Sequence, residues 1–118
     1  EYLCNWVNDE QPYAMRVQTG RLISMPYSVE INDIPAFLEF GMTPEEFGQM
    51  ITDQFDVLYE DGANTGRVMS ICLHPFLIGH PFRAKYLAKA LEHISQRNEV
   101  WIAKGGDIAS WFTKNCLE

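Results

Sequence analysis

The sequence predicts an α/β fold of mostly parallel strands alternating with helices, and three observations carry that prediction. Thr43-Pro44-Glu45-Glu46 is a capping box, with threonine at the N-cap, proline at the first helical position and glutamate two residues on. Arg67 to Leu73 is almost continuously apolar after its first residue, the pattern of a strand covered on both faces. A second amphipathic helix then leads to another short apolar run at Val100-Trp101-Ile102-Ala103. Strand, helix, strand, helix in this order predicts right-handed parallel crossovers, in an open doubly wound sheet or in part of a barrel.

Taken in order, the chain opens inside a strand-like run, Glu1 to Val7. Tyr13 to Val17 and Arg21 to Met25 flank Gln18-Thr19-Gly20, a hairpin or tight turn. Asp33 can cap a short helix that has Pro35 in its first turn. Behind the capping box, Phe47, Met50, Ile51, Phe55 and Leu58 recur at helical spacing, and Gly62 is the expected stop. The helix from about Pro81 to Arg97 gathers Phe82, Tyr86, Leu87, Ala90, Leu91 and Ile94 on one side. Gly105-Gly106 reads as a turn and Asp107 as the cap of a last helix carrying Ile108, Trp111 and Phe112.

Composition narrows the function. The 118 residues are 47% hydrophobic, enough for one sizeable core and too few for two ordinary domains. Nine Lys and Arg against sixteen Asp and Glu leave a net charge of -7, which disfavours nucleic acid and anionic membrane surfaces as partners. Cys4, Cys72 and Cys116 are an odd number without CxxC spacing, which suggests neither a disulfide framework nor a zinc knuckle and fits a reducing, cytoplasmic compartment. The chain opens without methionine, and Leu117-Glu118 matches either a native end or the scar an expression vector leaves before a tag. The expectation is a piece of a longer gene product.

The chemistry-bearing residues cluster at predicted strand ends. In both candidate architectures the reactive face lies at the carboxyl ends of the strands. Trp6, Pro26 with Tyr27, His74 and Lys104 each fall at such an end. Read from the residues alone, His74 is either a hydrogen-bonded structural residue or a proton-transfer group. His80, before Pro81 at a helix start, reads as capping or solvent-exposed, and His93 reads as surface. Asp9, Glu30 and Asp33 have plain roles open to them as turn, solvated and capping residues. Trp6 and Tyr27 either stack on a substrate plane or fill core. Cys72, in a buried strand, reads as an inert packed thiol.

Three stretches carry a resemblance: Trp6 to Pro12 (WVNDEQP), Met25 to Asp33 (MPYSVEIND), and Ser70 to Pro75 (SICLHP) with Gly79 and Arg83. Together they resemble the polysaccharide deacetylase family, most of all its allantoinase-like branch. The resemblance spans almost the whole chain but only the C-terminal half of the family's domain. It implies that residues 1–118 are one unit, the C-terminal half of an irregular (β/α) barrel, in an enzyme that hydrolyses non-peptide C–N bonds of N-acetyl sugars or small amides and ureides. His74 takes the place of the general acid, and Trp6, Tyr27, Asn32, Asp33 and Pro75 fall on the substrate side.

The family's Asp-Asp and His-x-x-x-His motifs do not occur here. The implied divalent metal, zinc foremost, would therefore take its ligands from outside this chain, and the piece alone is expected to be inactive. The implied partners are the substrate, the N-terminal part of the same domain, or a second copy joined through an exposed sheet edge or flank. The competing reading is a binding or structural domain that kept the sheet without the metal site.

Overall fold

The computed structural model describes residues 1–118. A small sheet built from the first part of the chain packs beside a helical layer built from the rest. Strands β1 (Tyr2–Leu3), β2 (Tyr13–Met15) and β3 (Leu22–Ser24) form a three-stranded sheet in the order β1-β3-β2. β2 and β3 are the expected hairpin, antiparallel, with Gly20 at φ 73° between them, a conformation glycine adopts without steric cost. β1 pairs with β3 in parallel, so the chain leaves both strands on the same edge, through Cys4 from one and Met25 and Pro26 from the other.

Helix α1 (Pro44–Thr65) begins at the predicted capping box. The Thr43 hydroxyl accepts from the Glu46 N–H, and the Glu46 carboxylate accepts from the Thr43 N–H. Gly62 does not end this helix. One interior glycine costs only about 1 kcal/mol, and the helix continues to Gly66, whose φ of 62° turns the chain out. α1 packs on α3 (Pro81–Ser95), and Gly48 allows the closest approach, since a side chain there would press on the Tyr86 backbone. The core lies at this contact: Phe47, Ile51 and Phe55 of α1 meet Ala90 and Ile94 of α3, with Ile31, Ala36 and Ile78 beneath.

Several expected elements differ. Arg67 to Leu73 is extended but joins the fold through a single parallel bridge, Asn32 to Cys72. Ser70 and Cys72 direct their side chains to the Pro26 and Ser28 carbonyls, which takes the place of a continued ladder. Val100 to Ala103 forms no strand, for no neighbouring strand pairs with it, and Trp101 and Ile102 stay exposed. Alternation of parallel strands with helices thus reduces to one parallel pair, one antiparallel pair and one bridge. Gly105 and Gly106 start α4 (Gly105–Phe112) in place of a turn, and the N-cap is Lys104, with Asp107 already inside the helix. The short helix expected at Pro35 is present as a π-helical turn, Pro35–Glu39, while a one-turn helix, α2 (Pro75–Ile78), and a second π-helical turn at Thr113–Leu117 were not foreseen.

Candidate active site

The bridge between Asn32 and Cys72 brings two distant segments side by side. The Asp33 N–H donates to the Cys72 carbonyl, and the Cys72 N–H donates to the Ile31 carbonyl. One residue beyond the bridge on the first segment and two beyond it on the second, Asp33 and His74 come together. Asp33 is fully buried. Its Oδ1 lies 2.7 Å from His74 Nδ1, and its Oδ2 accepts from the His74 backbone N–H at 2.8 Å. A buried carboxylate is costly unless hydrogen-bonded, and here each oxygen has its donor.

An ionised carboxylate can only accept, so against it the ring donates through Nδ1–H and Nε2 is the nitrogen left without a partner. The ring is fixed by this bond and by an edge contact to Phe76, centroids 5.9 Å apart, while its side chain keeps 37% of its surface open. His74 is also the N-cap of α2, although its side chain caps nothing; its carbonyl accepts from Leu77 and Ile78. Pro75 follows as the first helical residue and is exposed. The pair can therefore hold a ring in one tautomer and offer its far nitrogen to a substrate atom.

Asn32 and Tyr27 adjoin this pair. Asn32 Oδ1 accepts from the Ile34 N–H, and both oxygens of Asp33 are taken by His74, so Asp33 does not cap the Pro35 turn as expected. Asn32 Nδ2 sits 3.5 Å from the Tyr27 hydroxyl. A hydrogen bond with Cys72, and after it burial, push the Tyr27 phenol above the ordinary tyrosine range. Burial, then the neighbouring Cys72, raise the Cys4 thiol as well. Trp6 stands apart, 54% exposed and outside this hydrogen-bond network. Tyr27 also lines a cleft of about 840 Å³ between α1 and the segments at 7–10 and 68–70, a wall to which His74 does not contribute.

The other histidines divide. His80 is exposed, and its carbonyl accepts from Arg83 and Ala84 while its ring caps nothing. His93, expected at the surface, is half-buried, with Nε2 2.7 Å from Asp56 of α1. Glu30 is exposed, and Asp9 accepts from the Gln11 N–H as a turn residue does. The partnership of Asp33 with His74 was not visible in the sequence. The only signal for it was that both residues lie in the stretches that carry the family resemblance.

The comparisons with known proteins fall on the same frame. No family model matches the chain. A Schizosaccharomyces pombe protein that bears the polysaccharide deacetylase name is 37% identical over 97 residues, 80% of this chain and 30% of its own length. A Pseudomonas aeruginosa PAO1 crystal structure of the same name superposes with a TM-score of 0.90 at 32% identity, over 98% of this chain and 39% of that one. This chain belongs to the polysaccharide deacetylase family. PuuE allantoinase is as similar in shape, with a TM-score of 0.91 at 29% identity over 99% of this chain and 40% of that one. The deacetylase-family chain thus spans about 30 to 40% of the length of these relatives. No helix is long and apolar enough to cross a membrane.

Proposed function

We propose that this chain forms the acid-bearing part of a hydrolase that cleaves non-peptide C–N bonds, in an N-acetyl sugar or in a small amide or ureide. The observation that carries the reading is the Asp33–His74 pair: a buried carboxylate gripping Nδ1 of a partly open imidazole. Hydrolysis of an amide produces a tetrahedral intermediate that must expel an amine, a poor leaving group until protonated. With Nδ1–H held by Asp33, the imidazolium can pass its Nε2 proton to the departing nitrogen as the C–N bond breaks, leaving the neutral Nδ1–H ring and a neutral amine. Asp33 acts through His74, orienting it. Asn32, next to Asp33, and Pro75, next to His74, flank the pair, and Tyr27 lies beyond Asn32; these would meet the substrate beside the departing nitrogen, with Trp6 as an outlying stacking surface.

The metal that family membership implies does not fit this chain. No three His, Cys, Asp or Glu side chains converge on one point, and Asp33 is already engaged with His74. We assign the remaining machinery, and the other half of the barrel, to further chain of the same domain. That occupant fits the lengths: the solved relatives on which this chain superposes are about 2.5 times as long as it is. It would also cover Trp101, Ile102 and Trp111, which stand 57%, 79% and 54% exposed. Free Cys4, Cys72 and Cys116 support a reducing, cytoplasmic setting.

The test uses the full-length protein, assayed for acetate release from chitin oligomers and for ring opening of allantoin. One of the two is expected to proceed, and His74→Gln is expected to lower kcat by on the order of 100-fold or more with KM little changed. Absence of turnover on both substrates would favour the binding-domain reading, and full turnover by His74→Gln would remove the acid role.

A further inference from the structure

Helix α2 is a single turn of four residues, Pro75–Ile78, and a helix that short has no stability of its own. Something else must hold it, because His74 is anchored at its start. One end is held by Asp33 through the His74 N–H. At the other end Arg83 NH1 donates to the Leu77 carbonyl at 3.2 Å, and the Leu77 N–H in turn donates to the His74 carbonyl at 2.9 Å. The guanidinium also lies over two rings, 4.6 Å from the Phe37 centroid and 5.0 Å from that of Phe82. Phe37 belongs to the π-helical turn that directly follows Asp33, and it is pinned edge-on to Phe47 of the core, centroids 5.1 Å apart.

Arg83 lacks the partner an arginine normally takes. In a chain with sixteen carboxylate side chains, none forms an ion pair with it, and its Nε is buried without any hydrogen bond. A half-buried cation with an orphaned N–H is unfavourable, and the two aromatic faces offset only part of that cost. The contacts it does make join the two segments of the candidate site, the turn behind Asp33 and the turn behind His74. We infer that Arg83 is a positioning residue: it clamps α2 to Phe37 so that the His74 ring stays within hydrogen-bond reach of Asp33. A lysine could supply the charge but not the flat fork that bonds a carbonyl while stacking between rings.

The inference rests on the proposed acid role only for its effect on turnover; the clamp itself is a statement about geometry. It is tested in the full-length protein by labelling histidine with ¹⁵N and following the His74 imidazole in wild type, Arg83→Met, Arg83→Lys and Phe37→Leu. Wild type is expected to show one tautomer with a slowly exchanging Nδ1–H. In Arg83→Met that proton is expected to exchange rapidly and kcat to fall by on the order of 10- to 100-fold with KM little changed. Arg83→Lys should recover part of both, and Phe37→Leu, which keeps the apolar filling, should reproduce the loss if Arg83→Met fails to fold. A His74 signal unchanged in both Arg83→Lys and Phe37→Leu would overturn the clamp. Loss of the signal in a protein that turns over neither substrate would uphold the clamp and discard the acid role.

Discussion

Asp33 and His74 lie 41 residues apart in sequence and share two hydrogen bonds, one to the histidine's ring at 2.7 Å and one to its backbone N–H at 2.8 Å. A single buried carboxylate thereby sets both the rotation of the imidazole and the position of the chain that carries it. This joint control is what the proposed acid role of His74 requires.

Replacing Asp33 by asparagine tests that control. An amide can present its oxygen to only one of the two donors and would set its NH₂ against the other, so the ring loses its fixed tautomer. The expected result is a fall in kcat of on the order of 10²- to 10⁴-fold in the full-length protein, read from steady-state kinetics at constant pH. Turnover within about twofold of wild type, well short of a single tenfold step in barrier, would show that Asp33 is only filling.

The α1–α3 contact should dominate stability. Phe47 is 1% exposed at its centre, so Phe47→Ala is expected to cost about 3–5 kcal/mol. Val57 lies on the same helix but is 58% exposed, and Val57→Ala should change stability by less than about 0.5 kcal/mol. Urea denaturation midpoints of the two variants give the comparison, and similar losses would place the core elsewhere.

Acid should weaken α1 at its first turn. The Thr43 backbone N–H first, and its hydroxyl second, hold Glu46 below the usual glutamate range. A carboxyl lowered on folding stabilises the fold above its unfolded value, and the contribution is lost as pH falls through the folded one. Stability should therefore decline from about pH 4.3 downward. Glu46→Gln, which has no carboxyl to titrate, should remove this part of the decline, whereas Thr43→Ala, which keeps the backbone N–H and loses only the hydroxyl, should remove a share of it. Identical acid slopes in wild type and Glu46→Gln would assign the decline to other carboxylates.

Alkali and thiol reagents probe the opposite side of the site. Tyr27 is raised above the ordinary tyrosine range, chiefly by its hydrogen bond with Cys72, so phenol absorbance should show one tyrosine ionising late. A group raised in this way supports the fold below its unfolded value and ceases to as pH rises through the folded one, above about pH 10. Cys72→Ala should bring that tyrosine back toward the others. At neutral pH a disulfide reagent should modify exposed Cys116 well before Cys4, whose thiol burial holds protonated; the reverse order would contradict the packing around Cys4.

Local chemistry was legible along the chain. The Thr43–Glu46 capping box, the buried stripe Phe47, Ile51, Phe55 and Leu58, and the hairpin around Gly20 depend on neighbours at most a few residues away, and each forms where the spacing places it. The family was legible too, because the stretches that carry it are short and contiguous. Strand assignments at Arg67–Leu73 and Val100–Ala103 went further than spacing allows, since a strand exists only through a partner and these segments find one bridge and none. Likewise, no period in the sequence relates Asp33 to His74, Asp56 to His93, or Phe37 to Arg83. By itself the sequence determined which residues could be helical, buried or reactive, because those properties follow from side-chain chemistry and short-range geometry. Only the tertiary structure decided which carboxylate meets which imidazole, because such meetings come from burying distant segments against one core.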